Sequence, residues 1–304
     1  MISRYTKFIL ILYFSVANAQ EVKWMSIGDL HNWYSAAGSE IEVGRTGQVS
    51  DQQDGLRYPA FYRVQDNQAA KGLWLGASNF YDPVVNKNYD KKVVHAGPRH
   101  LDIENETMPV KLTMDGKYDH PNVFVDGDPA TNLQYLDYVD NVNPSLESDR
   151  KINNIVQTSL GVQMKRTIYA FAHPDHQNYH IQEYVFTNNG CFDKDCNTSY
   201  EQTLEGFQVY LQYRYAISRE GMVYDGNWLP QSAAWGHNTM NDVIGENPSS
   251  PSTNDQFYDN GEIMRAFFSW QGYHSDASFD NIGGPNAPGE GHLGAAQFAG
   301  VVTL

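Results

Sequence analysis

Residues 173–180 read HPDHQNYH and bring His173, His176 and His180 into one short stretch. Imidazoles are common ligands of zinc and copper, so His173 and His180 at the two ends of a tight turn could share an ion, with His176 or Asp175 as a third ligand. The same stretch contains Pro174, Asp175 and Asn178, which are turn formers, and it lacks the HExxH spacing of a helical zinc site. Its first reading is a hairpin turn closing over residues 174–178. A second polar loop, VDGDPATN, offers oxygen ligands from Asp126, Asp128 and Asn132, with Thr131 beside them. That chemistry suits calcium, the one cofactor the sequence points to, although Pro129 and Ala130 break the EF-hand pattern and Asp-Gly alone is an ordinary turn dipeptide.

A third constellation lies in a long irregular stretch, where Trp228, Trp235 and His237 stand among Asn238, Asp242 and further amides. Flat aromatic faces next to hydrogen-bonding groups match the apolar C–H faces and hydroxyls of sugars. The competing reading is a loop that folds its tryptophans onto its own core. Cys191 and Cys196, in GCFDKDCN, are the only cysteines, and two thiols with two aspartates between them favour a disulfide over a four-ligand zinc site. Nucleophile elbows of the GxSxG type, phosphate-binding loops and dinucleotide fingerprints are absent, so no residue is assigned a catalytic role.

The elements that must position these groups read as strands. In TLEGFQVYLQYRYAI, Phe207, Val209, Leu211, Tyr213, Tyr215 and Ile217 alternate with Gln208, Tyr210, Gln212, Arg214 and Ala216. Period-two alternation marks a strand with one buried face. NYHIQEYVFTNNG alternates likewise, and VQMKRTIYAFAH precedes it, so residues 162–217 predict a three-stranded antiparallel meander. Upstream, SEIEVGRTGQVS reads as strand, turn and strand, and only residues 64–75 carry good helix formers, weakened by Gly72. The fold class expected is all-β, mainly antiparallel, with a β-sandwich-like core and long irregular loops.

The ends and the charge set the environment. MISRYTKFILILYFSVANAQ has Arg4 and Lys7 ahead of an apolar run and a small-residue site at Ala17–Ala19, the pattern of a secretory signal peptide over residues 1–19. Its apolar run falls short of the ~20 residues of a membrane span. Residues 20–304 are then expected to form a single exported domain, and the apolar ending GHLGAAQFAGVVTL suggests truncation at the C-terminus. With 21 Lys+Arg against 36 Asp+Glu, the acidic surface repels phosphate backbones, which argues against nucleic acid as a partner.

The stretch EYVFTNNG followed by LEGFQVYLQYR resembles the strand, Asn-x-Gly turn and returning strand of bacterial extracellular β-sandwich modules. GDLHNWYSAAGSEIEVGR and GEGHLGAAQFAGVVTL are similar to parts of large, mostly uncharacterised secreted β-rich proteins of environmental bacteria. The resemblance implies an extracellular or cell-surface location and transfers no catalytic residue. The function expected is a non-catalytic module that binds a glycan or another surface partner, with structural calcium. The alternatives are a carbohydrate-active hydrolase or lyase, and a purely structural part of a larger surface protein.

Overall fold

The computed structural model describes residues 21–40, 56–60, 67–96, 106–120, 124–129, 137–215, 217, 223–224, 227–228, 239–245, 257–259, 262–271 and 298–303. Among them every regular element is a strand, so the all-β class holds. β1 (Val22–Met25) pairs with β2 (Asn32–Ser35), and β3 (Gln68–Asp82) with β4 (Lys87–Ala96). β5 (Thr107–Gly116) is followed by the small hairpin of β6 (Phe124–Val125) and β7 (Asp128–Pro129), then by β8 (Asn141–Val142). β9 (Arg150–Thr158), β10 (Val162–Ala170) and β11 (Ile181–Asn188) run as consecutive antiparallel neighbours. After β12 (Glu205–Tyr215) come the short pair β13 (Val223–Tyr224) and β14 (Asn227–Trp228), then β15 (Thr239–Gly245), β16 (Phe257–Asp259), β17 (Glu262–Gln271) and β18 (Phe298–Thr303).

Two sheets carry the core. One has the order β11-β10-β9-β5-β8, the other β12-β3-β4, and they meet face to face. Leu73, Leu75, Phe80 and Val94 of the smaller sheet bury against Val156, Val162 and Met164 of the larger. This is a sandwich. Beyond the smaller sheet, the β1–β2 pair covers the rest of the same inner face, where Met25 and Tyr34 meet Leu112, Met114, Ile152 and Ile168. A further sheet, with β15, β16 and β18 all paired to β17, meets Tyr215 and Ile217 through Phe267 and Val301.

Two sequence expectations are corrected. The meander is β9–β10–β11, because β12 leaves it and pairs with β3 in the opposite sheet. Residues 189–204, pinned by the Cys191–Cys196 disulfide, carry the chain across. The segment with helix formers is strand from Gln68 onward. There Leu73, Leu75 and Ala77 are buried on alternate positions, and period-two burial outweighs the weak local helix propensity.

Candidate functional site

The inner face of the larger sheet is apolar at both ends and polar across its middle. Asn154 on β9 stands directly opposite Arg166 on β10, which stands opposite Tyr184 on β11. This row separates the two apolar clusters, and residues 35–40 cross over it. Arg166 donates to the carbonyls of Gly38 and Ser35, both at 2.9 Å, and Asn154 donates to the Ala36 carbonyl at 2.9 Å. Gly38 crosses at φ +100, a backbone conformation that suits glycine.

The crossing delivers Glu40 to Lys71 on β3, and the two form a buried ion pair, 4% and 1% exposed. Gln182 Nε2 donates to Glu40 Oε1 at 2.8 Å, and Asn32 Nδ2 donates to Oε2 at 2.7 Å. Lys71 Nζ also reaches Gln182 Oε1 and Tyr184 Oη, each at 3.4 Å, and lies 5.0 Å from the centre of the Tyr213 ring. Burial alone would push the Glu40 carboxyl up, but the Lys71 charge and the hydrogen bonds from Lys71 and Gln182 hold it below its usual range. Burial would likewise lower Lys71, and Glu40 overcomes it, leaving the ammonium well above the ordinary lysine value. Burial pushes Tyr213 up to about 12, so its ring faces the ammonium as a neutral phenol. With so little exposure at Glu40 and Lys71, the chemistry open to this pair is proton transfer and reaction among its own groups.

The three histidines of the opening motif part company. His173 and His176 are exposed and lie ring to ring at 5.7 Å, while His180 turns inward and shares a 2.7 Å hydrogen bond between Nδ1 and Tyr34 Oη. Burial brings His180 down to about 4, with the Glu40 charge and the Leu30 carbonyl offsetting part of the effect. The ring is therefore neutral, with one nitrogen a donor and the other an acceptor. The turn docks the segment before β2, since the Gln177 carbonyl accepts from Asp29 N–H at 2.9 Å and Leu30 N–H at 3.2 Å.

On the solvent side of the smaller sheet a second row runs across all three strands. His95 on β4, Trp74 on β3 and Tyr210 on β12 are direct register partners. Trp74 is 38% and Tyr210 55% exposed. The Trp74 ring lies 5.7 Å from Tyr210 and 6.1 Å from His95, with planes crossed at 61° and 68°. These rings form a corner, in which a ligand ring laid on one face meets the edge of the next. Gln208 and Gln212, exposed on either side of Tyr210, add amides, and His95 Nδ1 pairs with Glu106 at 2.7 Å.

The other residues singled out by sequence are placed as follows. Asp126 and Gly127, at φ +53 and +89, form the two-residue turn between β6 and β7, and Asp126 and Asp128 are both exposed. This is the type I′ geometry that Asp-Gly favours. Asn132, the third proposed calcium ligand, lies outside the described residues, as do Trp235, His237 and Asn238. Trp228 is described only as the end of β14, and Asp242 is exposed on β15. Asp193, between the cysteines, accepts from the backbone N–H groups of Asp195, Asn197 and Thr198 and so stabilises its own loop. A groove of about 370 Å³ between β11 and β12, lined by Val162, Phe186, Leu204, Phe207 and neighbouring amides and a threonine, carries no titratable side chain.

Sequence reasoning missed the Glu40–Lys71–Gln182 cluster and the His95–Trp74–Tyr210 row. A usable signal existed for Trp74, the one bulky residue out of phase with Leu73, Leu75 and Ala77. Compared with family models, with curated proteins and with solved structures, the chain matches none of them.

Proposed function

We propose that this chain is a non-catalytic extracellular β module that binds carbohydrate on the outer face of β3, β4 and β12. The observation that supports this reading is the exposed row His95–Trp74–Tyr210. Single exposed aromatics are common on this chain, but here two rings stand side by side on one sheet face beside Gln208 and Gln212. Aromatic faces take the C–H side of a sugar ring while amides and the imidazole take its hydroxyls. The signal-peptide pattern and the acidic composition fit an exported protein that avoids phosphate backbones.

A glycan array probed with the full chain, followed by titration calorimetry on the hits, tests the reading. Trp74→Ala and Tyr210→Ala should stay folded, because both side chains are on the surface, and each should weaken binding about tenfold or more, the effect of losing ~1.4 kcal/mol of contact. Binding unchanged in Trp74→Ala, or lost instead in Trp228→Ala or Trp235→Ala, would move the site to the irregular stretch. An array without hits would refute carbohydrate as the ligand.

A further inference from the structure

The carboxamide of Gln182 touches both halves of the buried ion pair. Its Nε2 donates to Glu40 Oε1 at 2.8 Å, its Oε1 accepts from Lys71 Nζ at 3.4 Å, and Lys71 also donates to that same Glu40 oxygen. The amine, the carboxylate and the carboxamide thus close a ring of hydrogen bonds that keeps the amide carbon Cδ beside Nζ. Tyr184 Oη donates to Gln182 Oε1 at 2.9 Å, the oxygen on which negative charge would build if Cδ were attacked.

We propose that Lys71 and Gln182 join in an intramolecular amide bond, with Glu40 as the proton carrier, so that β3 and β11 become covalently linked across the sandwich. In the resting pair the proton stays on Nζ, and its transient transfer to Glu40 frees the lysine lone pair. Nζ attacks Gln182 Cδ, the C=O electrons move onto Oε1, and the Tyr184 hydroxyl stabilises the oxyanion. Glu40 gives its proton to Nε2 and takes one from Nζ. The Cδ–Nε2 bond breaks, and ammonia leaves. The new amide, ammonia and a protonated Glu40 account for every proton and charge of the starting ammonium, carboxylate and carboxamide. No oxidant or external reagent is needed.

Three features favour this step. The fold holds nucleophile, carrier and electrophile together, which replaces an encounter in solution by a positioned contact. Two buried charges are costly, and the product contains neither. Gln182 and Tyr184 sit on an edge strand and are only partly buried, which gives ammonia a way out. Asn32 is the other nearby carboxamide, but it bonds to Glu40 Oε2, away from the oxygen that Lys71 and Gln182 share.

Intact-mass spectrometry of the reduced, full chain, with peptide sequencing of a digest, decides the matter. The expected result is a chain lighter by one ammonia and a branched peptide joining Lys71 to Gln182, both absent in Lys71→Met and in Glu40→Gln. Cyclisation of an N-terminal glutamine also releases ammonia in either protein, so an ammonia loss that is equal in the wild type and Lys71→Met overturns the proposal. A folded wild-type chain with no branched peptide after prolonged incubation overturns it as well, and a link from Lys71 to Asn32 overturns the assignment of Gln182. The wild-type digest is decisive even if Lys71→Met fails to fold.

Discussion

Arg166 and Asn154 face each other on neighbouring strands, and both direct their side-chain N–H groups to backbone carbonyls of residues 35–38. The two residues act on one object, the segment that crosses between the apolar clusters. Arg166→Met leaves the Gly38 carbonyl without this donor, while the Ser35 carbonyl keeps the Gly38 N–H at 3.1 Å, and at about 1–3 kcal/mol for an unsatisfied buried acceptor the expected loss of stability is about 2 kcal/mol. Asn154→Leu should cost somewhat less. Because either change loosens the same segment, the double variant should fall short of the sum. Urea denaturation of the four proteins measures this, and additivity within about 0.5 kcal/mol would show that the two residues act independently.

The Glu40 charge can be isolated by removing its partner. Lys71→Met leaves a buried carboxylate facing an apolar side chain, and the expected cost relative to Lys71→Met/Glu40→Gln is about 3–5 kcal/mol. Neither variant contains Lys71, so the comparison reports on Glu40 alone. In the single variant, burial acts on the carboxyl without its main counter-charge and raises its proton affinity above the unfolded value. The folded state then binds more protons than the unfolded state, so stability should rise as pH falls toward the carboxylate range. Thermal melts across that range check the sign, and a flat profile would mean that water or another cation reaches Glu40.

The alternation that marks β12 as a strand was legible because Phe207, Val209, Leu211 and Tyr213 share one phase, and the structure turns Phe207, Leu211 and Tyr213 inward while Val209 stays 41% exposed. Its partner was not legible, since β-pairing is set by distant segments and the apolar residues of β3 stand far upstream. β11 shows a sharper limit. Hydrophobicity would turn Ile181 and Val185 inward, yet they are 47% and 46% exposed, while Gln182 and Tyr184 face the interior. They do so because the opposing sheet and residues 35–40 offer them Lys71 and Glu40. No local pattern encodes that complementarity, and for the same reason the histidine motif could be read as a turn but the inward rotation of His180 could not.

His180 makes stability pH-dependent. Its proton affinity is lowered from the usual 6.5 to about 4, so between these values the unfolded chain binds a proton that the folded chain refuses. Stability is complete above pH 6.5 and is lost as pH falls toward 4. At about 1.4 kcal/mol for each tenfold change in proton affinity the loss is of order 3 kcal/mol. His180→Asn keeps an acceptor near Tyr34 and does not titrate there, so its melting temperature should change less over the same interval. An equal slope in both proteins would assign the effect to other groups.

Gly28 explains why the histidine turn sits where it does. A Cβ at this position, φ +76, would come within 2.7 Å of the Gln177 and Phe171 carbonyl oxygens. Those walls are backbone and cannot rotate away, so the 28–30 segment docks on the turn only because residue 28 lacks a side chain. Gly127 has a similar φ of +89, but nothing lies within 4 Å of where its Cβ would be. The two glycines therefore separate conformational cost from steric cost. Gly127→Ala should lose only the preference for a left-handed backbone, about 1–2 kcal/mol. Gly28→Ala should add the cost of overpacking, a further 1–3 kcal/mol or about that, and weaken the hydrogen bonds from Asp29 and Leu30 to Gln177. Amide hydrogen exchange at those two positions should quicken in Gly28→Ala and stay unchanged in Gly127→Ala. Equal losses of stability in the two variants would mean that the turn yields to make room and that the dock is not rigid.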